Sequence, residues 1–127
     1  MTDPSGKAEN CIFCDIISGR IPSHKIFENE HVFVFMSLEG HPLIVPKVHF
    51  RDIFDLDDVH AAEIMKTAVI VARATKKALQ CDGINLVQSS GAAAGQDVFH
   101  FHLHIKPRFE DDEGVAYGWG RNSTLRV

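Results

Sequence analysis

The stretch GQDVFHFHLHIKPR, residues 95–108, places three of the chain's eight histidines at every second position. These histidines are His100, His102 and His104, and the residues around them are apolar: Phe99, Phe101, Leu103 and Ile105. Side chains alternate between the two faces of a strand. The pattern therefore predicts a strand at residues 98–107 with its apolar side on the core. The three imidazoles then share the other face, spaced roughly 7 Å apart.

Three imidazoles on one face favour a chemical role over a solvated surface. Threonine, serine or lysine would serve a water-facing strand equally well, and β-propensity gives no reason to choose histidine three times. One metal ion bound by all three is disfavoured, because alternate residues of a straight strand are too far apart for a tetrahedral site. Imidazoles attack electrophiles and move protons near neutral pH, so the row predicts an active site.

The segment SSGAAAG, residues 89–95, precedes this row and is built from small residues. Its backbone N–H groups are unobstructed, which is typical of an anion nest, although a plain flexible loop is the alternative. Polar donors flank it, and we expect them to contact a phosphate together with Gly95. These donors are Gln88, Ser89, Ser90 and Gln96.

Cys11 and Cys14 have the Cys-x-x-Cys spacing of metal and redox sites. A closed zinc site needs two further ligands. The three histidines of the row are candidates, and so are the five others: His24, His31, His41, His49 and His60. A redox dithiol lacks a surrounding thioredoxin-like βαβ pattern, and a buried structural pair remains open. The residues by themselves do not choose the ligands.

The rest of the chain predicts an α+β fold with a largely antiparallel sheet. Residues 11–19 have the pattern of a short helix, and residues 56–80 that of one long helix capped by Asp55 or Asp57. Its apolar stripe is expected to pack on the core, with Met65 as filler; the stripe comprises Ile64, Met65, Ala68, Val69 and Ala72. A hairpin at 24–37 and strands at 41–50, 83–88 and 98–107 complete the set.

Length and charge limit the possible classes of protein. The 127 residues predict one domain at 11–109, between a flexible arm at 1–10 and a tail at 110–127 that contains Tyr117 and Trp119. A net charge of -4 argues against a nucleic-acid partner. The absence of a long apolar run argues against a membrane span, and the absence of an apolar leader against secretion. Three cysteines, an odd number, favour a reducing, cytoplasmic location.

In order and spacing, these segments resemble the histidine triad (HIT) superfamily of nucleotide hydrolases and transferases, in the bacterial-type form of its Hint-like branch. The resemblance runs from CIFCDIISG at 11–19 through GHPLIVPKVHF at 40–50 to residues 95–108. It implies a HIT-like fold with a mostly antiparallel five-stranded sheet, one long helix and a short N-terminal helix. It also implies a homodimer, formed through the long helix and a strand, and a purine nucleotide substrate.

The resemblance implies roles for the histidines. His102 would attack an α-phosphate to give a covalent nucleotidyl-histidine, which water hydrolyses to the nucleoside monophosphate. His104 would hold a phosphate oxygen or assist the leaving group, and His100 would orient His102. Gln96 and neighbouring N–H groups would stabilise phosphoryl charge. A purine nucleoside phosphoramidase fits best. The alternatives are a dinucleoside polyphosphate hydrolase, a nucleotide-binding protein with weak turnover, and a zinc-stabilised interaction module.

The same resemblance implies a structural zinc ion that the chemistry does not require. Its ligands, carried over by motif, are Cys11, Cys14, His49 and His100.

The chain departs from the family pattern at three places. The segment FVFMSLEGHPL, residues 33–43, lacks the usual ribose-binding aspartate, for which Glu39 is the candidate substitute. Asp97 stands where serine or threonine usually contacts phosphate, and an inward-facing acid there would repel the substrate. Lys106 replaces an apolar residue, and we expect it to lie at a strand end or to extend its ammonium group to solvent.

Overall fold

A computed structural model describes residue 6 and residues 8–112 of the chain. The elements in chain order are α1 (Ile12–Ile17), β1 (Lys25–Glu28), β2 (Val32–Met36), β3 (Pro42–Pro46), α2 (Asp58–Leu79), β4 (Gly83–Val87), a 3-10 turn (Ala92–Ala94) and β5 (Leu103–Arg108). The five strands form one antiparallel sheet in the order β1-β2-β3-β5-β4. The predicted α+β fold, with one long and one short helix, is confirmed.

The sheet is buried on both faces in its centre, which explains the continuous apolar runs of β2 and β3. One face packs on α2 through Val34, Ile44 and Ile105, among others. The opposite face packs on α1 through Phe33, Val45 and their neighbours. The short helix therefore closes one side of the molecule, and it lies on the face opposite to the long helix.

Helix α2 has the predicted position and resolves the choice of cap. The carboxylate of Asp57 accepts a hydrogen bond from the His60 N–H at 2.8 Å, as N-cap residues do. The helix ends at Gln80, which adopts the left-handed conformation with φ +55°. Lys76 and Lys77 lie in the last turn, where they complement the helix dipole.

The buried face of α2 is rotated from the predicted stripe. Ile64 and Ala68 are buried as expected, but Met65 is 50% exposed and Val69 is 39% exposed. Thr67 is buried in their place, and its hydroxyl donates to the Glu63 carbonyl at 2.8 Å. The prediction that Met65 fills the core was wrong. The hydroxyl of Thr67 is satisfied within the helix, so this polar residue can face the core, and the buried face of α2 includes Thr67 and leaves out Met65.

The last strand begins later than predicted. Phe101, Leu103 and Ile105 enter the core, but residues 98–102 form no ladder, and Phe99 is 37% exposed. The β3–β5 register of Ile44 with Leu103 would bring Pro46 opposite Phe101, and proline has no N–H for a ladder. The alternation therefore holds from 101 to 105, and the core position assigned to Phe99 was wrong.

The two ends of the chain are described only in part. At the end of the predicted arm, the Gly6 carbonyl accepts from the His49 N–H at 2.6 Å, and the Ala8 N–H donates to Cys14 Sγ at 3.4 Å. Of the predicted tail, residues 113–127 lie outside the described residues, and so do Tyr117 and Trp119. The domain boundaries at 11 and 109 stay a prediction.

Candidate active site and metal cluster

His102 is held with one ring nitrogen bonded and the other free for chemistry. Its Nδ1 lies 2.8 Å from the carbonyl oxygen of His100. Because a carbonyl can only accept, Nδ1 carries the proton and the Nε2 lone pair is unprotonated in the neutral ring. The ring is 5% exposed and meets the edge of Phe13 at a centroid separation of 5.0 Å. These contacts fix the orientation that a nucleophile requires.

A fourth histidine, His41, contacts the last histidine of the row. Its Nε2 lies 2.8 Å from His104 Nδ1, and the His104 ring lies 5.1 Å from the His102 ring. Burial lowers the pKa of His41 and lowers that of His104 to about 4. Both rings are therefore neutral near pH 7, with one donating to the other. The sequence indicates His41 only as a candidate metal ligand, because its contact with His104 depends on the pairing of β3 with β5.

Asp97 stands close to the free nitrogen of His102. Its Oδ1 lies 4.0 Å from His102 Nε2, and its side chain is 85% exposed. The acid therefore does face the site, at the position where the sequence pattern raised an electrostatic problem.

Gln96 shapes the small-residue loop from within. Its Oε1 accepts from the Gly91 N–H at 2.7 Å, and its Nε2 donates to the carbonyls of Arg51 at 2.7 Å and Val98 at 3.1 Å. With both amide hydrogens bonded to carbonyls, the side chain braces the loop. A phosphate contact through this amide would require one of those bonds to break.

The other predicted phosphate donors lie at the two ends of the loop. Gln88 donates to the Ser89 carbonyl at 3.0 Å and accepts from the Ser90 hydroxyl at 2.9 Å. The Ser90 hydroxyl oxygen also accepts from the Ile53 N–H at 2.9 Å. Gly95 adopts φ +93° and donates its N–H to the Ala92 carbonyl. These groups hold the loop in shape.

The backbone after the loop offers unused donors. Within residues 8–112, no hydrogen-bond acceptor contacts the N–H of Asp97 or of Val98. Two successive unbonded N–H groups directly after a small-residue loop are typical of an anion site.

The second cluster joins helix α1 to the histidine row. Cys11, Cys14, His49 and His100 each direct one ligand atom to a common centre. The His100 Nδ1 lies 3.3 Å from Cys11 Sγ and 3.5 Å from Cys14 Sγ. The His49 Nδ1 lies 3.5 Å from Cys14 Sγ and 3.2 Å from His100 Nδ1. Zn–N bonds of ~2.0–2.1 Å and Zn–S bonds of ~2.3 Å give tetrahedral edges of about 3.3 to 3.8 Å. The four residues fit a zinc ion.

The surroundings of this cluster support ligation. His100 Nε2 donates to the Pro46 carbonyl at 2.9 Å, so the Nδ1 lone pair faces the cluster, as for histidines that ligate a metal. The backbone N–H groups of Ala8 and Cys14 point at the two sulfurs. Burial lowers the pKa of His100 to about 4 and raises the pKa of Cys14 to about 11. Neutral imidazoles are ready to bind, whereas the thiols need a cation to offset their desolvation.

Comparison with known proteins identifies the family. A family model described as "HIT domain" matches residues 18–111. A HIT family protein from Bacillus anthracis has a similar structure, with TM-score 0.82, 40% identity, and coverage of 95% of this chain and 89% of that one. A zinc-bound histidine triad family protein from Mycobacterium smegmatis aligns with TM-score 0.78 and 36% identity over 82% of this chain and 78% of that one.

A curated relative extends the comparison to activity. The adenosine 5'-monophosphoramidase HNT1 of Saccharomyces cerevisiae is 34% identical over 98% of this chain and 78% of its own length. The family model, the shared fold and the histidine row together show that this chain belongs to the histidine triad (HIT) family of nucleotide hydrolases.

Proposed function

We propose that the protein is a purine nucleoside phosphoramidase that works through a nucleotidyl-histidine. The observation that supports this proposal most directly is that the His100 carbonyl bonds His102 Nδ1 at 2.8 Å, which leaves Nε2 available for attack. The His104 ring, whose Nδ1 pairs with His41, lies 5.1 Å from the His102 ring. Asp97, whose N–H contacts no acceptor among residues 8–112, has its Oδ1 4.0 Å from His102 Nε2. The activity of the yeast relative supports this choice of substrate.

The reaction would run in two displacements. The Nε2 lone pair of His102 forms a bond to the α-phosphorus as the bond from phosphorus to the leaving nitrogen breaks. The leaving amine departs with that electron pair and takes up a proton. Water then attacks the same phosphorus, the P–Nε2 bond breaks, and His102 recovers its lone pair. The products are the amine and the nucleoside monophosphate, and the proton released by water balances the proton that the amine took up.

His104 would act as a neutral hydrogen-bonding group in this scheme. Its pKa of about 4 means that it carries no stored proton near pH 7. If His41 donates to His104 Nδ1, the Nε2–H of His104 is a donor that can hold a phosphoryl oxygen or the leaving nitrogen. The N–H groups of Asp97 and Val98 would hold the other oxygens, in the manner of an oxyanion site. Gln88, Ser89, Gly95 and Gln96 would keep the loop in place.

Zinc would be held by Cys11, Cys14, His49 and His100, and the supporting observation is their tetrahedral spacing. When bound, it supplies charge neutralisation for two thiolates and no reacting group. His100 would ligate through Nδ1, while its backbone carbonyl holds His102. Metal content is the test: Cys14→Ser should lose zinc, whereas Cys81→Ser, which changes a buried cysteine outside the cluster, should keep it.

A nucleotide-binding protein with weak turnover is the second candidate, and the Asp97 carboxylate near His102 favours it. Dinucleoside polyphosphates remain alternative substrates, and the same assay separates them. Incubation with an adenosine phosphoramidate and with a diadenosine polyphosphate should release AMP fastest from the phosphoramidate. His102→Ala should abolish release, and His24→Ala, a change at an exposed histidine, should leave it intact. Unchanged turnover in His102→Ala would rule out the mechanism.

We also propose a homodimer formed through α2 and the edge strand β4. Met65, Val69 and Leu86 are 50%, 39% and 44% exposed, and with Ala72 and Ile84 they line an apolar groove of about 230 Å³. A second copy covering this groove would bury side chains that now face water. Val69→Glu should shift the mass measured by light scattering from dimer to monomer, and an unchanged dimer would exclude this face.

The proposed partners and location follow from the same features. No helix among residues 8–112 is long and apolar enough to cross a membrane. A cluster that needs two reduced thiols suits a reducing compartment, so we keep a cytoplasmic location and the absence of a nucleic-acid partner as predictions.

A further inference from the structure

The turn between β2 and β3 brings a second ligand set against the histidine row. Glu39 and His41 flank Gly40, whose φ of +90° closes the turn, and the Ser37 hydroxyl oxygen accepts from the His41 N–H at 3.2 Å. His41 Nε2 lies 2.8 Å from His104 Nδ1 and 3.8 Å from Glu39 Oε1. One ligand atom from each of the three side chains lies within 4.8 Å of the others.

We propose that Glu39, His41 and His104 form a second binding site, for a divalent transition-metal ion such as Zn²⁺, separate from the cysteine cluster. Two imidazoles and one carboxylate are a donor set that such ions accept while keeping one position open. The open position would take water or a phosphate oxygen. The ligands differ from those of the cysteine cluster in having no sulfur, so the two sites are distinguishable by spectroscopy.

The geometry needs only small adjustments to hold the ion. Zn–N bonds of ~2.0–2.1 Å place two ligating nitrogens about 3.3 Å apart. The two imidazoles, now hydrogen-bonded at 2.8 Å, would separate by about 0.5 Å. Glu39 is 74% exposed, whereas the His41 side chain is 8% exposed. A mobile carboxylate can therefore close on an ion held by two fixed rings.

The charges of the three groups suit a cation. Ligating histidines have to be unprotonated, and burial lowers the pKa of both His41 and His104. The Glu39 carboxylate supplies the negative charge. The positive charge of Lys106 acts on both histidines and opposes the binding of a cation. We therefore expect the ion to bind reversibly and with moderate affinity.

A cobalt titration of the full-length protein tests the site directly. The first equivalent of Co²⁺ should enter the cysteine cluster and give thiolate-to-metal charge-transfer absorption. A second equivalent should add ligand-field absorption without further charge transfer. Glu39→Gln should raise the dissociation constant for the second Co²⁺ ion by about tenfold or more, the range seen when a metal site loses a supporting group.

Glu30→Gln is the matched control. Glu30 is also an exposed acid beside a histidine, with its Oε1 3.9 Å from His31 Nε2, and no third ligand is grouped with that pair among the described residues. This variant should bind the second equivalent as the wild type does. Absence of a second equivalent in the wild type, or equal binding by Glu39→Gln and the wild type, would overturn the proposal.

Occupation of this site should also slow turnover, because His104 would then bond to the ion in place of His41. This part rests on the proposed function. Excess Zn²⁺ should inhibit AMP release by the wild type and by Glu30→Gln, and inhibit Glu39→Gln at concentrations about tenfold higher. If the protein releases no AMP at all, the proposed function fails while the cobalt titration still decides the site. Equal inhibition of all three proteins would refute the link to turnover.

Discussion

Asp97 offers the sharpest test of the electrostatics at this site. A phosphorus atom bonded to His102 Nε2 would carry its anionic oxygens about 4 to 5 Å from the Asp97 carboxylate, given the 4.0 Å between Oδ1 and Nε2. Two like charges at about 4.5 Å repel by about 1 kcal/mol in water-like surroundings and by about 4 kcal/mol at an effective dielectric constant of ~20. The side chain is 85% exposed, so the lower figure applies.

Asp97→Asn should therefore raise kcat/KM for an anionic phosphoramidate by about fivefold, which corresponds to about 1 kcal/mol. Asp97→Ala removes the charge without adding an amide donor, so it separates relief of repulsion from a new hydrogen bond. The gain should shrink as salt is added, because exposed charges are screened. Steady-state kinetics at low and high ionic strength measure both effects.

Asp111→Asn is the matched control, since it makes the same charge change at an exposed acid beyond the far end of β5. It should leave kcat/KM unchanged. A tenfold or larger fall in kcat for Asp97→Asn and Asp97→Ala would refute the reasoning, and would mean that the carboxylate takes part in the chemistry.

Two further predictions concern stability. Phe13→Ala removes a buried ring that contacts both His100 and His102, and should lower the free energy of unfolding by about 3 kcal/mol or more in urea; a loss below about 1 kcal/mol would show that α1 is not anchored there. Hydrogen bonds from Lys47 and Lys25 lower the pKa of the Glu28 carboxyl group to about 2. The ionised Glu28 therefore stabilises the folded state fully above its unfolded-state pKa of about 4.5, and this stabilisation is lost as the pH falls towards 2. Because the pair is partly exposed, Glu28→Gln should cost about 0.5–1 kcal/mol at pH 7, and the difference from wild type should narrow in acid; a difference independent of pH would contradict the assignment.

Local pattern was sufficient for the elements and for part of the site. The period of 2 around His102 and the helical pattern between Asp57 and Lys77 determine strand and helix, because each depends on side chains near in sequence. Phe99 and Met65 show where such patterns fail. Phe99 lies before β5 begins, in a segment that forms no ladder with β3. Met65 lies on a flank of α2 that the single chain does not cover.

The metal cluster and the fourth histidine depend on contacts between distant parts of the chain. Cys14 and His100 are 86 positions apart, and His41 and His104 are 63 apart. The family resemblance implied the contact between Cys14 and His100. No spacing rule in the sequence indicated the contact between His41 and His104, because it arises only when β3 lies beside β5. Gln96 is similar: its residue type suggested a phosphate donor, and only the fold showed that its amide is bonded to loop carbonyls.

The sequence by itself therefore determined the fold class and the row of histidines on one strand face, since these follow from residue type and alternation. The choice of His102 as the nucleophile candidate came from the resemblance to the HIT family. The tertiary structure decided which nitrogen of His102 is free, which histidine touches His104, and where Asp97 points. The physical reason is that tautomer, burial and charge are properties of a surrounding three-dimensional shell. That shell forms only when α1, the β2–β3 turn and β5 pack together.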